Sequence, residues 1–280
     1  MKKKLVSMIL CAAMAVSMVT GCGAEKSAAV PEAQGQQALS EGQFQPYFQP
    51  KFDIQHGDRL AGAEVLCRWI HPEKGMIPPG QFIPVFEKSG LIMQLDRYMF
   101  EQACSWYRRY LDEGGARINL AVNVSRAGLL REDFVDYYVR IKEKYGIPDG
   151  AMELEVTESL ALGGEELLCQ LVCELQAHGF TCSLDDFGAG FSSLGLLKEF
   201  DVDTIKLDRS FFLNMSGRKA KDIIASLVEL AGHLQVRTVA EGIETPDQVE
   251  YLRSIHCDMV QGYVFSKPLP IPEFMARYLS

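Results

Sequence analysis

Asp185 and Asp186 stand side by side in SLDDFGAG, residues 183–190, after an apolar run and before two glycines. Like charges this close repel, and one of such a pair takes a proton or turns to solvent unless cations keep both ionised. Other oxygen donors recur at or near the ends of apolar, β-type runs: Glu64 in AEVLCRW, Asn123 in RINLAVNV, Glu155 in MELEV and Glu241 in RTVAEG. Lys206 in DTIKLD and Gln261 in MVQGYVF hold comparable places. Brought together, Glu64, Asn123, Glu155, Asp185, Asp186 and Glu241 form an all-oxygen donor set, anionic at every member but Asn123. Such a set suits hard divalent cations, Mg²⁺ or Mn²⁺, and no Cys/His pattern accompanies it that would point to structural zinc. Two such ions roughly 3.5–4 Å apart activate a water and stabilise a leaving oxygen, the chemistry of phosphodiester cleavage. Successive side chains of a strand point to different sides, so one of the two carboxylates could bridge both ions while its neighbour reached only the second. Any one of these acids alone is more often a surface carboxylate or a helix cap; their recurrence at strand ends is what carries the argument.

The elements that must position them alternate. Strands are expected in PYFQPKFDI and LAGAEVLCRW, joined as a hairpin at His56-Gly57-Asp58-Arg59, and then in RINLAVNV, MELEV, TCSLDD, DTIKLD, RTVAEG and MVQGYVF. Between them lie helical patterns such as LLCQLVCELQAHGF, with apolar Leu168, Leu171, Val172 and Leu175 on one stripe and Gly179 as its stop signal. Alternation of this kind implies a mostly parallel sheet covered by helices. Eight strands in one domain favour an α/β fold of the (β/α)8 TIM type, with an atypical antiparallel hairpin at its start. In such a barrel the strand ends converge on one face, where the loops build the active site.

The segments AEVLCRW, NVSRAGLL, ELEVTES, DDFGAGFSSL, IKLDRSF, AEGIET and QGYVFSKPLP, in this order, resemble the EAL-domain phosphodiesterases that hydrolyse cyclic di-GMP. The likeness runs from about Tyr47 to Leu269. It implies a (β/α)8 barrel with an irregular start, hydrolysis of a cyclic dinucleotide to linear pGpG, and a pair of divalent cations. Residue by residue, it implies that Glu64, Asn123, Glu155 and Asp185 hold the first cation and Asp185, Asp186 and Glu241 the second. It places Lys206 beside the attacking water, to orient it or accept its proton. Glu158 would steady the DDFGAGFSS loop and couple it to a homodimer contact. Arg68 would pair with a substrate phosphate, and Gln49, Leu66 and Gln261 would line the substrate pocket. Three positions depart from the family pattern: Val65 within the signature tripeptide, and Ala189 and Phe191 in the loop, where Thr and Tyr are commoner. None is a metal position. The competing functional class is a receptor that binds cyclic di-GMP without cutting it. The DFG tripeptide also occurs in protein kinases, but no glycine-rich phosphate loop, V-A-I-K strand or H-R-D loop accompanies it here.

Composition bounds the partners. A formal charge of −9 argues against a protein that tracks a nucleic-acid polymer, which needs a basic face. Residues 1–22 carry a basic MKKK, an apolar stretch and VTGC, which resembles a bacterial lipoprotein signal with Cys22 as the lipidated residue. A short uncleaved anchor fits as well, and both readings put the domain outside the cytoplasm, tied to a membrane. Residues 23–43, rich in Ala, Gln, Gly, Ser and Glu, read as a flexible tether, and 44–280 as one catalytic domain. Cys67, Cys104, Cys169, Cys173, Cys182 and Cys257 show no paired pattern and read as free thiols, the habit of a reducing compartment. That conflicts with export and keeps a cytoplasmic location, or a recent fusion of the export segment to the domain, open.

Overall fold

The computed structural model describes residues 32–157, 165–188, 197–198, 200–213, 215 and 217–280. Its strands are β1 (Phe44–Asp53), β2 (Arg59–His71), β3 (Gly75–Ile77), β4 (Asn119–Asn123), β5 (Met152–Thr157), β6 (Thr181–Phe187), β7 (Thr204–Leu207), β8 (Arg237–Ala240), β9 (Met259–Val260) and β10 (Leu269–Pro270). Its helices are α1 (Glu32–Ser40), α2 (Pro79–Ser89), α3 (Ile92–Asp112), α4 (Arg126–Leu129), α5 (Phe134–Lys144), α6 (Glu165–Ala177), α7 (Arg218–His233), α8 (Pro246–Ser254) and α9 (Ile271–Tyr278), with a 3-10 turn at Arg209–Phe211.

Eight of these strands close a ring in the order β1-β9-β8-β7-β6-β5-β4-β2, with β2 pairing back onto β1. Every neighbouring pair from β2 through β9 is parallel, whereas β1 runs antiparallel to both β2 and β9. This is the (β/α)8 TIM-type barrel with an antiparallel start. The hairpin turn uses left-handed backbone at Gly57 (φ 80°) and Asp58 (φ 52°), the conformation a tight turn demands.

Alternation along β1 shows how the sequence divides between the two faces. Phe48 points outward and meets Trp106 of α3 and Phe274 of α9 edge-on, while Gln49 and Lys51 point inward to Gln261 and Glu153. The outward apolar faces and the helices share one continuous core, in which α3 contributes Leu95, Met99, Phe100, Ala103, Trp106, Tyr107 and Tyr110 at helical spacing. On α6, Leu168, Val172 and Leu175 are buried, and Gly179 stops the helix with φ 78°.

Two boundaries differ from those the sequence leads one to expect. The stretch 23–43, read as a tether, contains α1, and Ala38 of that helix is only 1% exposed. Gly35 lies so close to the Phe86 ring and Leu91 that a β-carbon there would clash. Small residues make this contact, which is why no large apolar stripe announces it. The run MVQGYVF forms a strand only over Met259–Val260. Gly262 packs against the Ile243 backbone, and Val264 N–H then donates to Ile243 O at 3.0 Å, so the chain turns inward after Gln261.

Candidate active site

Lys206, on β7, is the centre of the barrel mouth. Its ammonium lies 2.8 Å from Glu155 Oε2, 2.8 Å from Glu241 Oε1, 3.2 Å from Asp185 Oδ1 and 3.6 Å from Glu64 Oε2. These carboxylates come from β5, the residue after β8, β6 and β2, so separate strand ends converge on one cation. Around Glu64 the contacts are directional: Asn123 Nδ2 donates to Oε1 at 2.7 Å and Gln261 Nε2 to Oε2 at 2.5 Å. Gln261 also donates to Gln49 Oε1 at 3.3 Å, and Gln49 donates to Ser266 O at 3.2 Å. A cavity of about 280 Å³ opens over this cluster, lined by Gln49, Leu66, Glu241 and Tyr263 among others.

Burial and mutual repulsion sort the carboxyls. Burial alone would raise Glu64, but the Lys206 charge and the hydrogen bonds from Gln261 and Asn123 hold it below its ordinary range. Glu155 goes the other way: burial, with Glu64 and Asp185 close by, pushes it well up despite Lys206. Burial likewise raises Glu241 to about 8, with Asp185 and Glu64 adding to the effect. Burial works against the Lys206 ammonium, yet Asp185, Glu155, Glu241 and Glu64 together stabilise it so strongly that it titrates well above an ordinary lysine. Lys206 is thus the shared counter-ion of these four carboxyl groups.

Asp185, Asp186 and Glu241 each offer a carboxylate oxygen within 4.8 Å of the others. The reason differs from simple strand alternation. The β6–β7 register slips between Leu184 and Phe187, and Asp186 takes a left-handed backbone with φ 55°. This bulge swings Asp186 back toward Asp185, whose Oδ1 accepts the Asp186 N–H at 2.9 Å. Burial, together with the Asp185 charge, raises Asp186. Hard oxygen donors at this spacing, with Glu155 Oε1 buried and lacking a hydrogen-bond partner among the described residues, fit a divalent cation. Gly188, at φ 91°, follows at once, and a β-carbon there would strike the Phe211 ring.

Leu66 and Arg68 belong to the rim. Arg68 donates to Cys67 O at 2.8 Å and lies 5.8 Å above the Tyr47 ring. Both line a second cavity of about 740 Å³, walled by Val65, Ile83 and Met99 and carrying Asp96 and Arg126. Asp96 accepts the Ser125 N–H at 3.0 Å, and burial pushes its carboxyl up to about 6. Glu158, Ala189, Gly190 and Phe191 lie outside the described residues, as does Cys22. Sequence reasoning missed a deeper pair, Lys51 and Glu153, whose charged atoms are 3.0 Å apart with side chains 2% and 3% exposed. The signal was present: Lys51 shares β1's inward face with Gln49, and Glu153 shares that of β5 with Glu155.

This barrel and its mouth define the class. The EAL domain family profile matches residues 32–268, and the chain belongs to that family. It is 36% identical over 246 residues to the cyclic di-GMP phosphodiesterase NbdA of Pseudomonas aeruginosa, covering 86% of this chain and 31% of that one. It is 35% identical over 238 residues to the cyclic di-GMP phosphodiesterase RocR of the same organism, covering 85% of this chain and 60% of RocR. The chain thus spans about a third of the first of these relatives and three-fifths of the second. Among solved structures, the MucR phosphodiesterase in complex with c-di-GMP superposes with a TM-score of 0.80 at 35% identity, covering 85% of this chain and 97% of that one.

Proposed function

We propose that this domain hydrolyses cyclic di-GMP to linear pGpG. The observation that carries the reading is the convergence of Asp185, Asp186 and Glu241 beside the Lys206-centred carboxylates, in a family whose similar members are named for this reaction. Two divalent cations, Mg²⁺ or Mn²⁺, held by Glu64, Asn123, Glu155 and Asp185 and by Asp185, Asp186 and Glu241, would supply activation of the water and charge stabilisation at the leaving oxygen. The protein's own groups do the rest. Lys206 stands beside the attacking water, to orient it or accept its proton. Arg68 offers a planar fork to a phosphate at the rim. Gln49, Leu66 and Gln261 shape the floor above which the scissile phosphate sits, and the apolar walls of the larger cavity suit a flat purine. In balance, water's oxygen bonds to phosphorus, the bond from phosphorus to the 3′ oxygen breaks, and that oxygen leaves as a hydroxyl. Purified protein with cyclic di-GMP and either ion is expected to yield pGpG; tight binding with no linear product under both ions would make the domain a receptor and overturn the proposal.

We also propose that residues 1–22 act as a lipoprotein signal with Cys22 lipidated, which would set the domain outside the cytoplasm on a membrane anchor. The basic MKKK, the apolar stretch and the VTGC box support it. Lipid labelling of the wild type against Cys22→Ala, with protease applied to whole cells, tests it: no labelling and full protection would place the domain in the cytoplasm.

A further inference from the structure

Glu155 is gripped from two directions. Its Oε2 lies 2.8 Å from the Lys206 ammonium, and its Oε1 faces the Lys51 ammonium at 3.9 Å, beyond hydrogen-bond reach. That Oε1 is buried and has no hydrogen-bond partner among the described residues. Lys51 does not close the gap because Glu153 Oε1 holds it at 3.0 Å, one layer deeper in the barrel. The stem of Lys51 starts from β1, whose outward Phe48 and Phe52 are locked against Trp106, Phe265, Phe274 and Tyr278, so its origin is fixed and only the ammonium has freedom. Two carboxylates therefore compete for one buried ammonium, and the deeper one has it.

We infer that Glu153 is a positioning residue: by holding the Lys51 ammonium away from Glu155, it keeps the second oxygen of Glu155 open for a divalent cation. If Glu153 loses its charge, Glu155 Oε1 is the nearest acceptor left to the Lys51 ammonium, and Lys51 moves onto it as a competitor for the metal. If Lys51 is removed as well, the competitor is gone. The inference rests on reading Glu155 as a cation ligand, as proposed above, and does not depend on the chain cleaving anything.

The test is a double-mutant cycle on the full chain, read by calorimetric titration with Mn²⁺ and by thermal melting in chelator. Glu153→Gln is expected to weaken Mn²⁺ binding about tenfold, the scale on which outer-shell partners of a metal site act. Adding Lys51→Met to it is expected to restore binding to within about threefold of wild type, which a merely structural role for Glu153 would not do. Wild-type Mn²⁺ affinity in Glu153→Gln, or a double variant no better than the single, would overturn the inference. If Glu153→Gln does not fold, the double variant decides: binding within about threefold of wild type supports the inference and a loss of tenfold or more overturns it. A wild-type chain that binds Mn²⁺ but forms no pGpG removes the phosphodiesterase reading and leaves this test intact; one that binds no Mn²⁺ overturns both.

Discussion

The Lys206 ammonium lies 2.8 Å from Glu155 Oε2, and both side chains are closed to solvent, at 1% and 0% exposure. A lysine so placed is the shared counter-ion of acids from separate strands and assembles the mouth of the barrel around itself. Substituting Lys206→Met should therefore do more than slow the chemistry. Removing one partner of a buried charge pair costs about 3–5 kcal/mol, because the other charge is left uncompensated. In chelator the variant should melt well below the wild type, while Mn²⁺ should raise its melting temperature by more than it raises that of the wild type. Equal shifts in the two proteins would count against the shared counter-ion. Turnover should fall with metal still bound.

Asp185 is the carboxylate that both proposed cations would share. Asp185→Asn keeps the shape and removes the charge, so Mn²⁺ titration should show at least one fewer ion bound and pGpG formation should vanish. Glu64→Gln should behave alike, since Glu64 is held ionised by Lys206, Gln261 and Asn123. Full activity of Asp185→Asn would sink the two-metal assignment.

Gly188 is where the chain leaves β6, at φ 91° and hard against Phe211. Gly188→Ala meets both a left-handed backbone and a ring. An alanine there should lower kcat by an order of magnitude or more through Asp186, two residues upstream, whose own bulge geometry depends on this turn. KM should change less. A variant with wild-type kcat would show that the turn does not set the position of Asp186.

Asp96 gives a pH signature separate from the metal cluster. Burial raises its carboxyl from 3.8 to about 6 in the folded protein. The protonated form is thus favoured by folding. Its contribution is fully present below the unfolded value and is lost as pH rises through about 6. The loss amounts to roughly 3 kcal/mol, two pH units at about 1.4 kcal/mol each. Asn at this position can still accept the Ser125 N–H but cannot titrate. Denaturant melts of Asp96→Asn and wild type at pH 4 and pH 7.5 should therefore diverge in favour of the variant at the higher pH. A stability difference independent of pH would remove this account of Asp96.

The barrel was legible because its signals are local and repeated: eight β-type runs, helical stripes such as that of α6, and a Gly-Asp turn between β1 and β2. So was the clustering of Glu64, Asn123, Glu155, Asp185, Lys206, Glu241 and Gln261, since topology alone sends parallel strand ends to one face. What escaped has physical reasons. The bulge at Asp186 depends on a register slip against β7 that no spacing reveals. Helix α1 docks through Gly35 and Ala38, residues whose composition equally suits a tether. Lys51 in an apolar run looks like a lysine whose stem is buried and whose head reaches water; only closure of the barrel shows that its head meets Glu153. The cavity whose edge Arg68 occupies, braced on Cys67 O and Tyr47, also has no outline in the sequence, because its walls come from separate strands and helices.

Strand β1 runs opposite to its neighbours, with Phe44 paired to Trp69 near the catalytic rim and Asp53 paired to Arg59 at the far end. An all-parallel barrel receives its first strand from the floor. Here the chain comes in over the rim, through α1 and the turn at Gln43, whose side chain accepts the Trp69 indole N–H at 2.8 Å. Helix α1 therefore feeds the barrel from the side of the doorway that a ligand must use, so its docking bears on the opening and not on the base.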